Sequence, residues 1–327
     1  MLQFIGKRLL WMIPTLLGIL LIIFTINYLT PGDPAMSALG TNYTEEAYQE
    51  KVIAMGLDKP FIVRYFLYLK GIVTSLDLGT SYNTLRPVSD MIGEKIVVTI
   101  KLGILSSLFT IVLGMIVGII SAVKQYSVLD YTATTLSIIL AAMPGFWLAL
   151  MCVIIFCIKL NWLPASGLST WKHYILPILC LGLSPIAVIN RMTRSSMLEV
   201  IRQDYIRTAR AKGVDERSVI YKHALRNALI PVITVIGMQL SMVVGGSVVI
   251  ENIFSIPGIG TLMLTAISNR DYPLIQGIVL VLSLMICVIN LLVDIAYAAA
   301  DPRIMAQYMT KRRKRPKAEK AGEGVSC

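Results

Sequence analysis

The sequence predicts an all-α polytopic membrane protein, and three observations carry that expectation. Of its 327 residues 56% are hydrophobic and 15% charged, where a soluble domain has about 45–50% and about 25%. The apolar residues gather in runs long enough to cross a hydrocarbon core, which takes about 20 residues as helix. The basic residues that give a net charge of +11 cluster in short segments beside those runs, as membrane topology requires. The lipid bilayer is therefore an expected partner and nucleic acid is not.

Six spans are expected, at Leu9–Leu29, Val97–Val123, Leu136–Ile158, Tyr174–Ile189, Pro231–Ile250 and Ile275–Ala299. The first is as long as a full transmembrane helix rather than a short signal-peptide core, which makes it a retained anchor. The fourth is short and carries Pro177 and Pro185, so a bent or broken backbone is expected there. Pro231 opens the fifth, where its missing N–H costs nothing. Gly114 with Gly118, and the Gly245-Gly246 pair, predict close helix packing.

Orientation follows from Lys and Arg. Segment 191–230 holds nine basic residues against four acidic, and 301–327 holds eight against three, whereas 30–95 holds six against eight. Six spans place both termini and 191–230 on one side, which the positive-inside rule makes cytoplasmic. The expected organisation is an N-terminal helix (1–29), an extracytoplasmic insertion (30–95), a five-helix core (96–300) with its 191–230 loop, and a basic tail (301–327). Within the insertion, Pro31-Gly-Asp-Pro34 marks a turn, Thr44 caps a helix, and Phe61–Val73 is an aromatic, amphipathic helix ended by Leu76-Asp-Leu-Gly79.

The sequence holds no GxxxxGK[ST], HExxH or GxSxG, the patterns that cradle nucleotide phosphates, hold zinc or present a nucleophilic serine. Its five cysteines show no ligand spacing and read as small hydrophobes, so no metal site is expected. Apart from Asp294, ionisable residues are sparse in the span interiors, whereas ion-coupled carriers bury several near the midplane. No cofactor is expected on this chain. A self-sufficient channel or ion-coupled carrier, and a membrane scaffold, are the alternatives from other classes.

The most informative stretch runs from Asn190 to Pro231. Apolar residues recur at three- and four-residue intervals through Tyr205-Ile206. Ala209, Ala211 and Gly213 form a small-residue surface, and Gly213 can end the helix in a left-handed conformation. A second helix is expected from Glu216 to Leu229 with Asp215 as cap. Such a rigid basic helix–glycine–helix reads as a docking element.

Asp204-Tyr-Ile-Arg-Thr-Ala-Arg-Ala-Lys-Gly213 with His223-Ala-Leu-Arg-Asn-Ala-Leu229 and Pro231 resembles the cytoplasmic loop of binding-protein-dependent ABC importer permeases. The likeness is closest to the first permease of the dipeptide/oligopeptide/nickel group. Pro31-Gly-Asp-Pro34, Met143-Pro-Gly-Phe-Trp147, Leu163-Pro-Ala-Ser-Gly167, Ile256-Pro-Gly-Ile-Gly260, Asn269-Arg-Asp-Tyr-Pro273 and Asp294 with Asp301-Pro-Arg303 extend it along the chain.

The resemblance implies a type I ABC importer permease fold and an ATPase-coupling helix formed by Tyr205, Arg207, Thr208, Ala209, Arg210, Ala211, Lys212 and Gly213. Of the wider family's Glu-Ala-Ala…Gly signature only Ala209 and Gly213 are kept. Arg207 replaces the glutamate. Implied partners are a second homologous permease, two ATP-binding subunits that carry ATP and Mg, and an extracytoplasmic substrate-binding protein. Short peptides are the leading cargo, with nickel as alternative. Glu251, Pro257, Gly258 and Gly260 are candidates for a gate, and Asp294 is expected to pair structurally with Arg303 or a backbone donor, near Asp301.

Overall fold

The computed structural model describes residues 2–40 and 43–300; the basic tail, with Asp301 and Arg303, lies outside the described residues. The described chain is helical, ordered α1 (Leu2–Leu29), α2 (Pro34–Leu39), α3 (Glu45–Ala54), α4 (Phe61–Ser75), α5 (Val88–Val123), α6 (Val128–Ala142), α7 (Gly145–Cys152), α8 (Lys172–Ile201), α9 (Asp204–Ala211), α10 (Glu216–Ser218), α11 (Leu225–Ile253), α12 (Ile259–Ser268) and α13 (Tyr272–Ala300). Five helical stretches are long and apolar enough to span a bilayer, and a bent pair makes a sixth.

The break falls in the third span rather than the fourth. α6 and α7, the latter prolonged by a π-helical stretch over Val153–Lys159, meet at 103° across Met143-Pro144. The residue before a proline is pushed out of the helical region, and Met143 is extended at φ −81°, ψ 129°.

α8, by contrast, runs unbroken for 30 residues through Pro177 and Pro185. Close by, the Thr110 hydroxyl of α5 donates to the Gly182 carbonyl at 3.5 Å, next to the Leu181 carbonyl that Pro185 leaves without its N–H. Small residues let the two helices meet. A Cβ on Gly114 would strike Ile189 at 2.8 Å, and one on Gly118 would strike Thr193 at 2.6 Å. Gly245 meets nothing within 4 Å and Gly246 only Leu181 at 3.6 Å, so the packing expected of that pair is not found within this chain.

α8 packs between α5 and α11, while α13 lies against α11 and α1. The two ends of the bundle differ in chemistry. One, the basic end, gathers the α5–α6 turn, the foot of α8, α9 and the start of the Glu216–Ile253 rod. The other, the cap end, carries α2–α4, the 79–87 segment and α12.

The insertion folds as its turn chemistry dictates. Asp33 caps α2 by accepting from the Ala35 and Met36 amides, Thr44 Oγ1 caps α3 by accepting from Ala47, and α4 ends at Leu76 in a left-handed conformation. α4 crosses α1 through aromatic contacts, Phe24 with Tyr65 and Tyr68, and Tyr28 with Phe61.

Candidate functional site

At the basic end, α9 stands between two long helices as a short element of its own. Helix α8 stops at Ile201, where Arg202 and Gln203 separate it from α9; the single helix expected from Asn190 to Gly213 is thus two. Ile206 is its anchor. Fully buried, it sits among Ile119, Ala122, Met197, Val219, Ile220, Ala224 and Ala228, drawn from α5, α8 and the foot of α11.

The rest of α9 faces outward. Tyr205, Arg207, Thr208, Arg210, Ala211, Lys212 and Gly213 are exposed, and Ala209 is half-buried. The Arg207 side chain is 75% accessible and only loosely paired with Asp204 at 3.8 Å, so it is available to a partner. Tyr205 is braced from below by Asn227, whose Nδ2 donates to the phenol oxygen at 2.8 Å. Arg210 turns back to Glu216 with Nε and a terminal nitrogen at 3.0 and 2.6 Å, closing the turn that joins α9 to the following rod.

That turn requires Gly213. Its φ is +74°, in the left-handed region where a Cβ is penalised. Its N–H donates to the Arg210 carbonyl at 2.9 Å and the Val214 N–H to Ala209 at 3.2 Å, which satisfies carbonyls that the helix end leaves open. Asp215 then caps the next helix through the Arg217 amide. All eight sequence-predicted residues therefore share one compact, solvent-facing element.

Beneath this surface lies a hub that composition alone did not single out. Asp130, 2% exposed, accepts from Arg194 Nε and a terminal nitrogen at 2.6 and 2.8 Å, from Ser121 at 2.8 Å and from the Tyr126 amide at 3.0 Å. One carboxylate thus ties the end of α5, the start of α6 and α8. The available signal was Ser127, which caps α6 by accepting from the Asp130 amide and so starts that helix eight residues before the expected span.

At the opposite end the gate candidates come together around a carboxylate. Glu251 is fully buried and accepts from Thr99 at 2.7 Å and from the Gly260 amide at 2.6 Å. A Cβ on Gly258 or Gly260 would collide with that carboxylate, and on Gly260 also with the Val248 backbone. Pro257 is exposed. Nearby, Asp271 draws in Ser81, the Tyr82 amide and Asn83, which fastens the 79–87 segment to the start of α13.

Between these ends α5, α11 and α13 enclose an apolar groove of about 650 Å³, with Thr99 and Ser247 among its few polar residues. Asp294 pairs with Arg8 of α1 at 3.0 Å, because α1 runs along α13 and brings its basic N-terminal turn alongside; the partner expected from the sequence, Arg303, is not among the described residues, and nor is Asp301.

Comparison with known proteins decides what this scaffold is. Residues 111–306 match the family described as the binding-protein-dependent transport system inner membrane component, and residues 1–103 match its N-terminal counterpart. The chain belongs to this family. Among relatives of this permease, the dipeptide transport system permease protein of Alkalihalophilus pseudofirmus is 44% identical, over 93% of this chain and 99% of that protein. The glutathione transport system permease protein of Pectobacterium atrosepticum is 43% identical over the same shares. In three dimensions the permease resembles a chain of the inward-facing MetNI methionine ABC transporter, with TM-score 0.56 and 19% identity over 64% of this chain and 96% of that one. Its all-α bundle is the type I ABC importer permease fold.

Proposed function

We propose that this permease lines half of the translocation pathway of an ATP-driven importer of short peptides. The observation that carries the proposal is α9, an outward-facing helix anchored by Ile206 to the feet of three long helices. A solvated loop has no need of such an anchor, whereas an element that transmits a partner's rigid-body movement does. Lys and Arg distribution supports a cytoplasmic position for the basic end and both termini.

The partners in this scheme are a second homologous permease, two ATP-binding subunits that receive α9, and an extracytoplasmic substrate-binding protein. ATP and Mg reside on the ATP-binding subunits, and this chain performs no covalent chemistry. ATP moves the complex only as far as it binds one conformation better than another. Arg207, Thr208, Ala211 and Lys212 form the contact surface, while Tyr205, Ala209, Arg210 and Gly213 hold its shape. Glu251, Gly258 and Gly260 lock α12 to the ends of α5 and α11, so movement of the pathway's outer end passes through them.

The names of the relatives, for dipeptide and for glutathione, support a peptide cargo. Neither supports nickel, and the described residues hold no group of three or more His, Cys, Asp or Glu placed to bind a metal ion. The test is uptake by cells with and without this protein, offered labelled dipeptides, longer peptides and nickel side by side. Loss of peptide uptake alone is expected. Loss of nickel uptake alone would overturn the cargo assignment.

A further inference from the structure

A cavity of about 410 Å³ lies at the cap end, bounded by α1, α3, α4, the 79–85 segment and the start of α13, within the size range of small-ligand sites. Lys51, Lys59 and Arg64 line it and no Asp or Glu does. A smaller neighbouring pocket shares Phe24, Arg64 and Gln276 with it and adds Asn27. Tyr68 on the wall of the larger space and Asn27 on the wall of the smaller each carry a buried donor, the hydroxyl and Nδ2, without a hydrogen-bond partner among the described residues.

Three cations and two unspent donors, with no lining carboxylate, are complementary to an anion with several acceptor oxygens. Burial pushes the Tyr68 phenol up, so it remains a protonated donor. Two carboxylates lie beyond the wall: Asp77 accepts from the Gly79 amide and adds to the upward push on the Tyr68 phenol, and Asp271 is held by Ser81 and Tyr82.

The surroundings are lipid-like. Ile62, Phe66 and Val73 of α4 are exposed at four- and seven-residue intervals, one stripe of a helix. The Tyr65 hydroxyl donates to the Leu17 carbonyl, about 18 Å down α1 from Leu29 at 1.5 Å per residue. α4 therefore rests at membrane depth. The 25-residue span Ile5–Leu29 is about 37 Å long; centred on a hydrocarbon core of about 30 Å, it puts the outer boundary near Asn27. The cavity floor at Phe24 and Asn27 then sits where headgroups meet acyl chains.

We propose that this cavity binds the phosphate of an anionic phospholipid headgroup, whose acyl chains lie along the apolar stripe of α4 and the lipid-facing side of α1. The phosphate oxygens accept from Arg64, Lys51, Lys59, Tyr68 and Asn27. The proposal is independent of the peptide cargo and can fail without it.

The test is native mass spectrometry of the full chain titrated separately with phosphatidylglycerol and phosphatidylcholine. Variants are the triple Lys51→Gln, Lys59→Gln, Arg64→Gln, and Tyr68→Phe, which keeps the ring contact with Phe24. We expect the wild type to prefer phosphatidylglycerol by about tenfold or more, the scale of lost charge-assisted hydrogen bonds. The triple variant should lose that preference with phosphatidylcholine binding unchanged, and Tyr68→Phe should weaken phosphatidylglycerol binding without lowering the melting temperature. Equal preference in wild type and both variants overturns the proposal. So does displacement of the lipid by millimolar inorganic phosphate or by a dipeptide, which would make the occupant a free anion or the cargo itself.

Discussion

Thr99 and Glu251, 152 positions apart, are joined by a hydrogen bond of 2.7 Å, and the same Thr99 hydroxyl accepts from the Ile259 amide at 2.9 Å. One buried oxygen thus serves α5, α11 and α12 at once. Thr99→Val keeps the shape and removes both bonds, leaving a buried carboxylate and a buried amide each short of a partner. The expected cost is about 2–4 kcal/mol, read as a lowered melting temperature of the purified chain in detergent. Thr99→Ser should lose less than about 1 kcal/mol by retaining the hydroxyl.

Asp130 and Arg194 should prove coupled. Breaking a buried ion pair from one side costs about 3–5 kcal/mol, and the Arg194 side chain is 27% exposed, so water recovers part of that. Asp130→Asn alone is expected to destabilise by about 2–3 kcal/mol. The Asp130→Asn, Arg194→Met double variant should lose less than the sum of the singles, with an interaction of about 1–3 kcal/mol in a double-mutant cycle of thermal unfolding.

Gly213 separates geometry from bulk, since a Cβ there would meet nothing within 4 Å while its φ is +74°. Proline, fixed near φ −65°, cannot adopt that conformation; asparagine tolerates it. Gly213→Pro should leave insertion intact and abolish uptake while ATP hydrolysis by the assembled transporter continues. Gly213→Asn should transport at close to the wild-type rate. Normal uptake by the proline variant would remove α9 from the coupling path.

The Arg8–Asp294 pair is the contrasting case. Its side chains are 46% and 25% exposed, and such pairs contribute about 0–1 kcal/mol. Arg8→Gln should therefore shift the melting temperature little, and less at high salt than at low.

Hydropathy made the number of spans, the α4 amphipathic helix and the Thr44 cap legible, because each depends on local periodicity or a side chain bonding its own backbone. Spacing around Tyr205–Gly213 likewise pointed to one element. The misplaced break shows where local rules end. Pro177 and Pro185 carry the same local signal as Pro144, yet of the three only Pro144 marks a bend, while α8 runs on between α5 and α11. Asp130, Thr99 and Ile206 were equally hidden, since their roles arise from partners 64, 152 or more residues distant or from burial among three helices. Asp294 found Arg8 at a separation of 286, a pairing that no local spacing encodes.

The helical rod from Glu216 to Ile253 spans 38 residues, about 57 Å at the α-helical rise. One extremity is tied to α9 through Arg210, and the other holds the Glu251 carboxylate that grips α12. Such a length amplifies displacement. Pivoted at Glu216, an angular displacement of about 5° sweeps the far extremity through about 5 Å, close to one helical pitch. A small rotation delivered at one face of the membrane is thereby magnified into travel comparable to the width of a side chain at the other.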